Sequence, residues 1–291
     1  METIESRAFN SCSSLSEIRL SYGLTSIGWD AFYNCTNLSH IRFPDTVVFI
    51  GSGAFNWCSA LSEIILPPLL TSLEQDVFAH CKNLEKVVMG DNITAMWRVV
   101  FWDCQKLTDI KMSESIEHIH GKAFGQCPSL TNLSMPDSIK YTVGDPDVSS
   151  GNLFEGSPNI VFNIKDNVKY LGNDDNPYAL LFKSTGGSTI QPGTKCIGGY
   201  AFKNIPMTSI TIPDSVHGIS QCAFGESGLT SIYLPNSIEY LDKDAFADSV
   251  EGGGYIPNYT IKDIYVPWSE GAIPDAPWGA SDAVIHYNSE V

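Results

Sequence analysis

The chain holds no apolar run near the ~18 residues that a membrane-spanning helix requires, so insertion into a membrane is not expected. Positive charge is also scarce. Lys and Arg total 17 against 33 Asp and Glu, a formal net charge of −16. A surface of that sign repels phosphate backbones and anionic headgroups, which removes nucleic acid from the partner classes. Among the eight cysteines there is no Cys-x-x-Cys pair, so no four thiols are placed to converge on one zinc. Gly-x-Ser-x-Gly, His-Glu-x-x-His and a glycine loop ahead of a lysine are all missing. No residue is nominated as catalytic, cofactor-binding or metal-ligating, and the protein is not expected to be an enzyme. Met1 to Phe9 carry no basic stretch leading into an apolar one, so an export signal is not expected in this chain.

What is present is a repeat. Hydrophobic residues make up 43% of the chain and charged residues 17%, enough apolar material for a core. Phe9, Phe32, Phe55, Phe78, Phe101 and Phe124 follow one another at 23 residues. Cys12, Cys35, Cys58, Cys81, Cys104 and Cys127 stand three places after them, and Leu15, Leu38, Leu61, Leu84, Leu107 and Leu130 three places further on. From Leu38 to Phe43 the apolar residues alternate as in a short strand, whereas Ala31, Phe32, Cys35 and Leu38 recur at three to four, the spacing of a helical turn. One strand and one short helix per repeat is therefore expected, an α/β repeat solenoid. A lone unit cannot cover its own apolar face, so neighbours stack and share a core. The six periodic thiols point one way in that stack and are expected to be buried and reduced.

A single solenoid over residues 1–291 is expected, in four parts: regular 23-residue repeats in 1–138, an atypical repeat with an insertion in 139–199, resumed 22-residue repeats in 200–260, and a cap in 261–291. In the second part Phe154 arrives 30 residues after Phe124, with Ser157 where Cys would stand. Asn167 to Leu171 and Tyr178 to Lys183, joined by Gly172 to Pro177, read as a β-hairpin replacing one repeat's helix. Phe202, Phe224 and Phe246 then recur at 22 residues. In the last part, a strand at Ala283 to Tyr287 covered by Trp268 and Trp278 would hide the open end of the core. No metal is expected at His118 with His120, read as lying on a turn away from any third ligand, nor at the string Asp145, Asp147, Ser149, Gly151, whose glycine is displaced by one from a calcium loop and whose closing Glu is missing. The cluster Asn173 to Asn176 reads as a polar hairpin tip.

The stretches IEHIHGKAFGQCPSLTNL (Ile116 to Leu133) and MTSITIPDSVHGISQCAF (Met207 to Phe224) resemble the repeat of the BspA-like leucine-rich-repeat family of bacterial surface or secreted proteins. The resemblance runs from Ile4 to about Val266. It implies a right-handed superhelix with a parallel sheet on the concave side, short helices on the convex side, no catalytic activity, no cofactor, and adhesion or partner binding outside the cell. Ile4 aligns with Ile27, so the chain is expected to start after the strand of its first unit, as part of something longer.

Within each predicted strand the residues flanking the inward one point outward. These pairs are Glu17 with Arg19, His40 with Arg42, Glu63 with Ile65, Lys86 with Val88, Asp109 with Lys111, Asn132 with Ser134, Ser209 with Thr211, Ser231 with Tyr233, and Asp263 with Tyr265. Lys86 and Asp109, on adjacent rungs, are expected to offset each other. Glu17, Arg19, His40, Arg42, Glu63, Lys86, Asp109, Lys111, Tyr233 and Tyr265 are the candidate partner-binding residues, for a protein or a glycan. Trp29, Tyr33, Trp57 and Trp102 form a competing aromatic patch. A structural spacer, or an accessory of a cell-surface or phage-tail assembly, is the alternative to a binding module. An enzyme without a recognisable motif comes third.

Overall fold

The computed structural model describes residues 2–143, 152–250 and 254–289. Two compact units are present, residues 1–136 with 150–161, and residues 137–149 with 162–291. Each is a β-solenoid in which successive coils stack through parallel strands.

A coil carries two strands rather than one. The predicted strands form a first ladder, in unit 1 from Glu63–Ile65, Lys86–Val88 and Asp109–Lys111 in parallel register, extended by a bridge between Glu17 and His40. A second ladder runs through Thr3–Ile4, Ser26–Ile27 and Phe49–Ile50, and through Ser72–Leu73, Ala95–Met96 and His118–His120. Ile4 is thus itself a strand residue, and His118 and His120 lie on a strand rather than on a turn.

Among the described residues there is no helix, which corrects the expectation of one per coil. The backbone shows why. In an α-helix every amide points along the axis to the carbonyl four residues back. Here alternate amides leave the coil: those of Asp30, Phe32 and Asn34 donate to the carbonyls of Ser52, Ala54 and Asn56 in the next coil, at 2.8–3.0 Å. The amides between them, of Ala31, Tyr33 and Cys35, donate three residues back, to Gly28, Asp30 and Phe32. Such alternation needs left-handed residues four apart, and the pairs Asp30 and Asn34, Asp76 and His80, and Lys122 and Gln126 all have φ between 52° and 60°. Asp and Asn tolerate that conformation. Val99, β-branched at φ 54°, does not, at a cost of ~1–2 kcal/mol, and its amide is held by the Gly121 carbonyl at 3.1 Å.

Inside the stack the repeat becomes columns. Phe9, Phe32, Phe55, Phe78, Phe101, Phe124 and Phe154 form a continuous pile of near-parallel rings with centroids 5.1–6.0 Å apart. The thiols of Cys35, Cys58, Cys81, Cys104 and Cys127 each donate to the carbonyl of a Phe one coil earlier, from Phe9 to Phe101, at 3.0–3.3 Å. Ser157 takes the next place in that column, its hydroxyl donating to the Phe124 carbonyl at 2.7 Å. All eight cysteines are free, and Cys12, expected to be buried, is exposed.

In unit 2 the insertion is a three-stranded antiparallel meander, Asn163–Lys165, Val168–Leu171 and Leu180–Ser184, one strand more than the hairpin expected. Its last strand pairs in parallel with Cys196–Ile197, followed by Gly218–Ile219 and Tyr240–Leu241, so it supplies the first rung of that ladder rather than replacing a helix. The meander's Asn173 and Asn176 amides hold the Asp137 carboxylate at 3.2 and 2.8 Å, and so act as a tie between loops. The segment Tyr141–Val143 runs against this second ladder. Thr142 donates its amide to the Ser220 hydroxyl at 3.1 Å and accepts from the Gly199 amide at 3.0 Å. Bare backbone makes the approach possible, since a Cβ on Gly218 would lie within 2.0 Å of the Lys140 carbonyl.

The first ladder of unit 2 is Ser231–Tyr233, Asp263–Tyr265 and Val284–His286. Its third strand lies within the stretch expected to form one, and Trp278 is fully buried in the core beside Phe246. Trp268 packs against the same core, only partly buried. An antiparallel pair, Asp248–Ser249 with Tyr255–Ile256, interrupts the resumed repeats and was not anticipated.

Candidate recognition surface

Parallel register turns the outward residues of the first ladders into columns. In unit 1, Glu63, Lys86 and Asp109 are aligned, as are Ile65, Val88 and Lys111. Glu17, Arg19, His40, Arg42, Glu63, Lys86, Asp109 and Lys111 are all exposed, and so are Asn132, Ser134, Ser209 and Thr211. The Lys86 ammonium pairs with Glu63, at 3.2 Å, instead of with Asp109 as the sequence suggested. Both carboxylates flank Lys86 at one rung's distance, so charge alone does not decide between them. An exposed pair of this kind is worth less than about 1 kcal/mol, which leaves these side chains available to a partner.

In unit 2 the outward column is aromatic. The Tyr233 and Tyr265 rings stack at 4.3 Å and 8°, and His286 continues the pile on Tyr265 at 4.4 Å and 11°. The imidazole is also fixed from the side, its Nε2 lying 2.8 Å from the Asp263 carboxylate. Tyr233 remains 46% exposed. The result is a three-rung ribbon of ring edges that carries two phenol hydroxyls, an imidazole and a carboxylate in fixed order.

The competing aromatics take different neighbours. Trp57 stacks on His80 at 4.1 Å, and His80 Nδ1 lies 3.0 Å from Asp103, whose carboxyl is held below its usual range by His80, Gln105 and Lys82 against the opposing effect of burial. Trp102 lies over Gly125, where a Cβ would come within 2.4 Å of its ring, under the Lys122 ammonium at 5.6 Å. Tyr33 is half-buried and Trp29 exposed.

Thiol chemistry is suppressed throughout the core. Burial pushes Cys35 up to about 11 and Cys127 to about 12, and raises Cys58, Cys81 and Cys104 as well. Among the described residues no group of three His, Cys, Asp or Glu side chains is placed to hold a metal ion. The calcium-like string Asp145, Asp147, Ser149, Gly151 lies outside the described residues. No helix among the described residues is long and apolar enough to cross a membrane.

The family model described as "BspA type Leucine rich repeat region (6 copies)" matches residues 1–108, 98–174 and 178–263. The protein is a BspA-type leucine-rich-repeat protein. Nothing among the curated proteins matches it. Solved structures similar to this BspA-type chain include the leucine-rich-repeat protein of T. pallidum, 29% identical over 54% of this chain and 71% of that one, with a TM-score of 0.48. A leucine-rich cell surface protein from Faecalibacterium prausnitzii A2-165 is 25% identical, covering 99% of this chain and 77% of that one, with a TM-score of 0.46. The pneumococcal vaccine antigen PcpA is 15% identical, covering 95% and 88%, with a TM-score of 0.35.

Two structural features escaped the sequence reading. His286 is the third rung of the aromatic ribbon, and its signal was available: Ile285-His286 repeats the inward-outward step of Ile264-Tyr265. The other is the approach of Lys140 and Thr142 to the second ladder within unit 2, whose signal is the pair of glycines at 198 and 218.

Proposed function

We propose that this BspA-type protein is a non-catalytic recognition module that binds a protein or glycan partner, in adhesion or a related role, through the outward columns of its first ladders. The observation that carries this reading is the Tyr233, Tyr265 and His286 ribbon. Side chains stacked at 4.3–4.4 Å have already lost the rotamer freedom that docking would otherwise remove. Tyrosine is also a residue in which binding energy concentrates at interfaces. In unit 1 the charged columns of Arg19, Arg42, Lys86 and Lys111 with Glu17, Glu63 and Asp109 supply orientation more than affinity. Display at the cell surface or release from the cell is part of the proposal, by family resemblance.

Labelled protein applied to a glycan array and to immobilised extracellular proteins tests it. Two variants accompany the intact protein: Tyr233→Ala with Tyr265→Ala and His286→Ala, and His40→Ala with Arg42→Ala, Lys86→Ala and Asp109→Ala. The expected result is a ligand whose binding falls at least about tenfold in the first variant, the loss typical of a truncated interfacial hot spot. Ligands held equally by all three proteins overturn the assignment to this surface.

A further inference from the structure

Beside the second ladder of unit 1 lies a cradle of about 240 Å³, walled by Trp29 and Phe49 and edged by Glu5, Ser6 and Ser26. Its floor is Gly28, where a Cβ would lie 2.4 Å from the Ser6 backbone nitrogen, so no side chain can fill it. Trp29 is anchored although it is 63% exposed. Its amide donates to the Ser6 hydroxyl at 3.1 Å, and its ring rests on Gly51, where a Cβ would come within 2.5 Å of Cδ1. Phe49 is 37% exposed. An indole and a phenyl are thus open to solvent on adjacent coils, and both line the same cradle.

The charges around the cradle indicate what it receives. The Glu5 carboxylate makes no ion pair or side-chain hydrogen bond among the described residues. The nearby cation, Arg7, is already engaged with Asp30 at 3.3 Å. Two aromatic residues and an unmatched carboxylate on one lining are the chemistry of a cation site. The chain's net charge of −16 raises the local concentration of cations in the same sense. In size the cradle is below the ~300 Å³ at which pockets for drug-sized ligands begin, which suits one side chain.

We propose that this cradle receives a single basic side chain, Lys or Arg, from a partner polypeptide, its cationic head against Trp29 and Phe49 and paired with Glu5. The site is distinct from the first-ladder columns and stands or falls separately from them. The test follows the Trp29 indole N–H resonance of the 15N-labelled full chain, assigned with Trp29→Phe, during titration with N-acetyl-arginine amide, N-acetyl-lysine amide and methyl glucoside. A saturable shift with one of the cationic probes, weakened about three- to tenfold by Glu5→Gln and by Phe49→Ala, is expected. The altered side chains are exposed, so the fold survives both changes, and Asp214→Asn, at an exposed carboxylate of unit 2 that does not line the cradle, leaves the shift unchanged. No saturable shift with either cation overturns the proposal, as does a glucoside response as large as theirs. Equal weakening by Asp214→Asn and Glu5→Gln would reduce the effect to diffuse attraction and overturn it too.

Discussion

The thiol column shows how single side chains hold the coils in step. Each buried thiol hydrogen-bonds a Phe carbonyl of the previous coil, and Ser157 does the same with a hydroxyl at the end of the column. The position therefore calls for a small donor rather than for sulfur. Because burial raises these thiols far above the range in which thiolate forms, they are structural and inert toward oxidants. Cys81→Ser is expected to keep the bond to the Phe55 carbonyl and to change stability by no more than about 1 kcal/mol. Phe78→Ala, three residues earlier in the fully buried ring pile, removes two stacking contacts and leaves a cavity costing about 3–5 kcal/mol. Urea unfolding of the two variants measures the difference, and a Cys81→Ser loss equal to that of Phe78→Ala would contradict the donor role.

At the scale of strands and turns, the second ladder places a titratable group where acid acts on the fold. His120 sits on the strand His118–His120, stacked on Trp97 at 4.5 Å, and burial, reinforced by His118 and Arg98, lowers it to about 4. Its unfolded value is about 6.5, so between about 4 and 6.5 the unfolded chain binds more protons than the folded one. Stability then rises with pH across that window and is lost on acidification through it. In His120→Gln the melting temperature should depend less steeply on pH between about 4 and 6.5; an unchanged slope would place the acid sensitivity elsewhere.

The same elements show which parts of the fold could be read in advance. Stacking, the core columns and the outward pairs follow from Phe, Cys and Leu recurring at fixed intervals, and the structure aligns Glu63, Lys86 and Asp109 as the alternation implied. The helix was misread because Ala31, Phe32, Cys35 and Leu38 have the spacing of one. Stacked turns return a side chain to the core at the same interval, and the turn-forming Asp30 and Asn34 between them were the discriminating residues. Strands of two residues, such as Ser26–Ile27, are too short to display alternation at all. The aromatic ribbon was two-thirds legible, through Tyr233 and Tyr265. The Trp29 cradle was not, because it depends on what the absence of a side chain at Gly28 leaves open.

For the molecule as a whole, an excess of acidic groups works against compactness. A net charge of −16 repels itself in the folded state more than in the expanded one. Screening shortens the reach of that repulsion from ~30 Å at about 0.01 M salt to ~3 Å at about 1 M. The melting temperature is accordingly expected to rise with sodium chloride over that range, as read by calorimetry, and a fall would mean that favourable ion pairs outweigh the repulsion.

Alternate amides of the turn segments in the regular run of unit 1 reach into the following coil, as those of Asp30, Phe32 and Asn34 reach Ser52, Ala54 and Asn56. A regular array built this way lengthens or shortens by integers. Excising one full period from the regular run of unit 1 brings each donor opposite an equivalent acceptor, as two zipper halves close again after losing matched teeth. Removing a few residues more or less shifts all the teeth on one side.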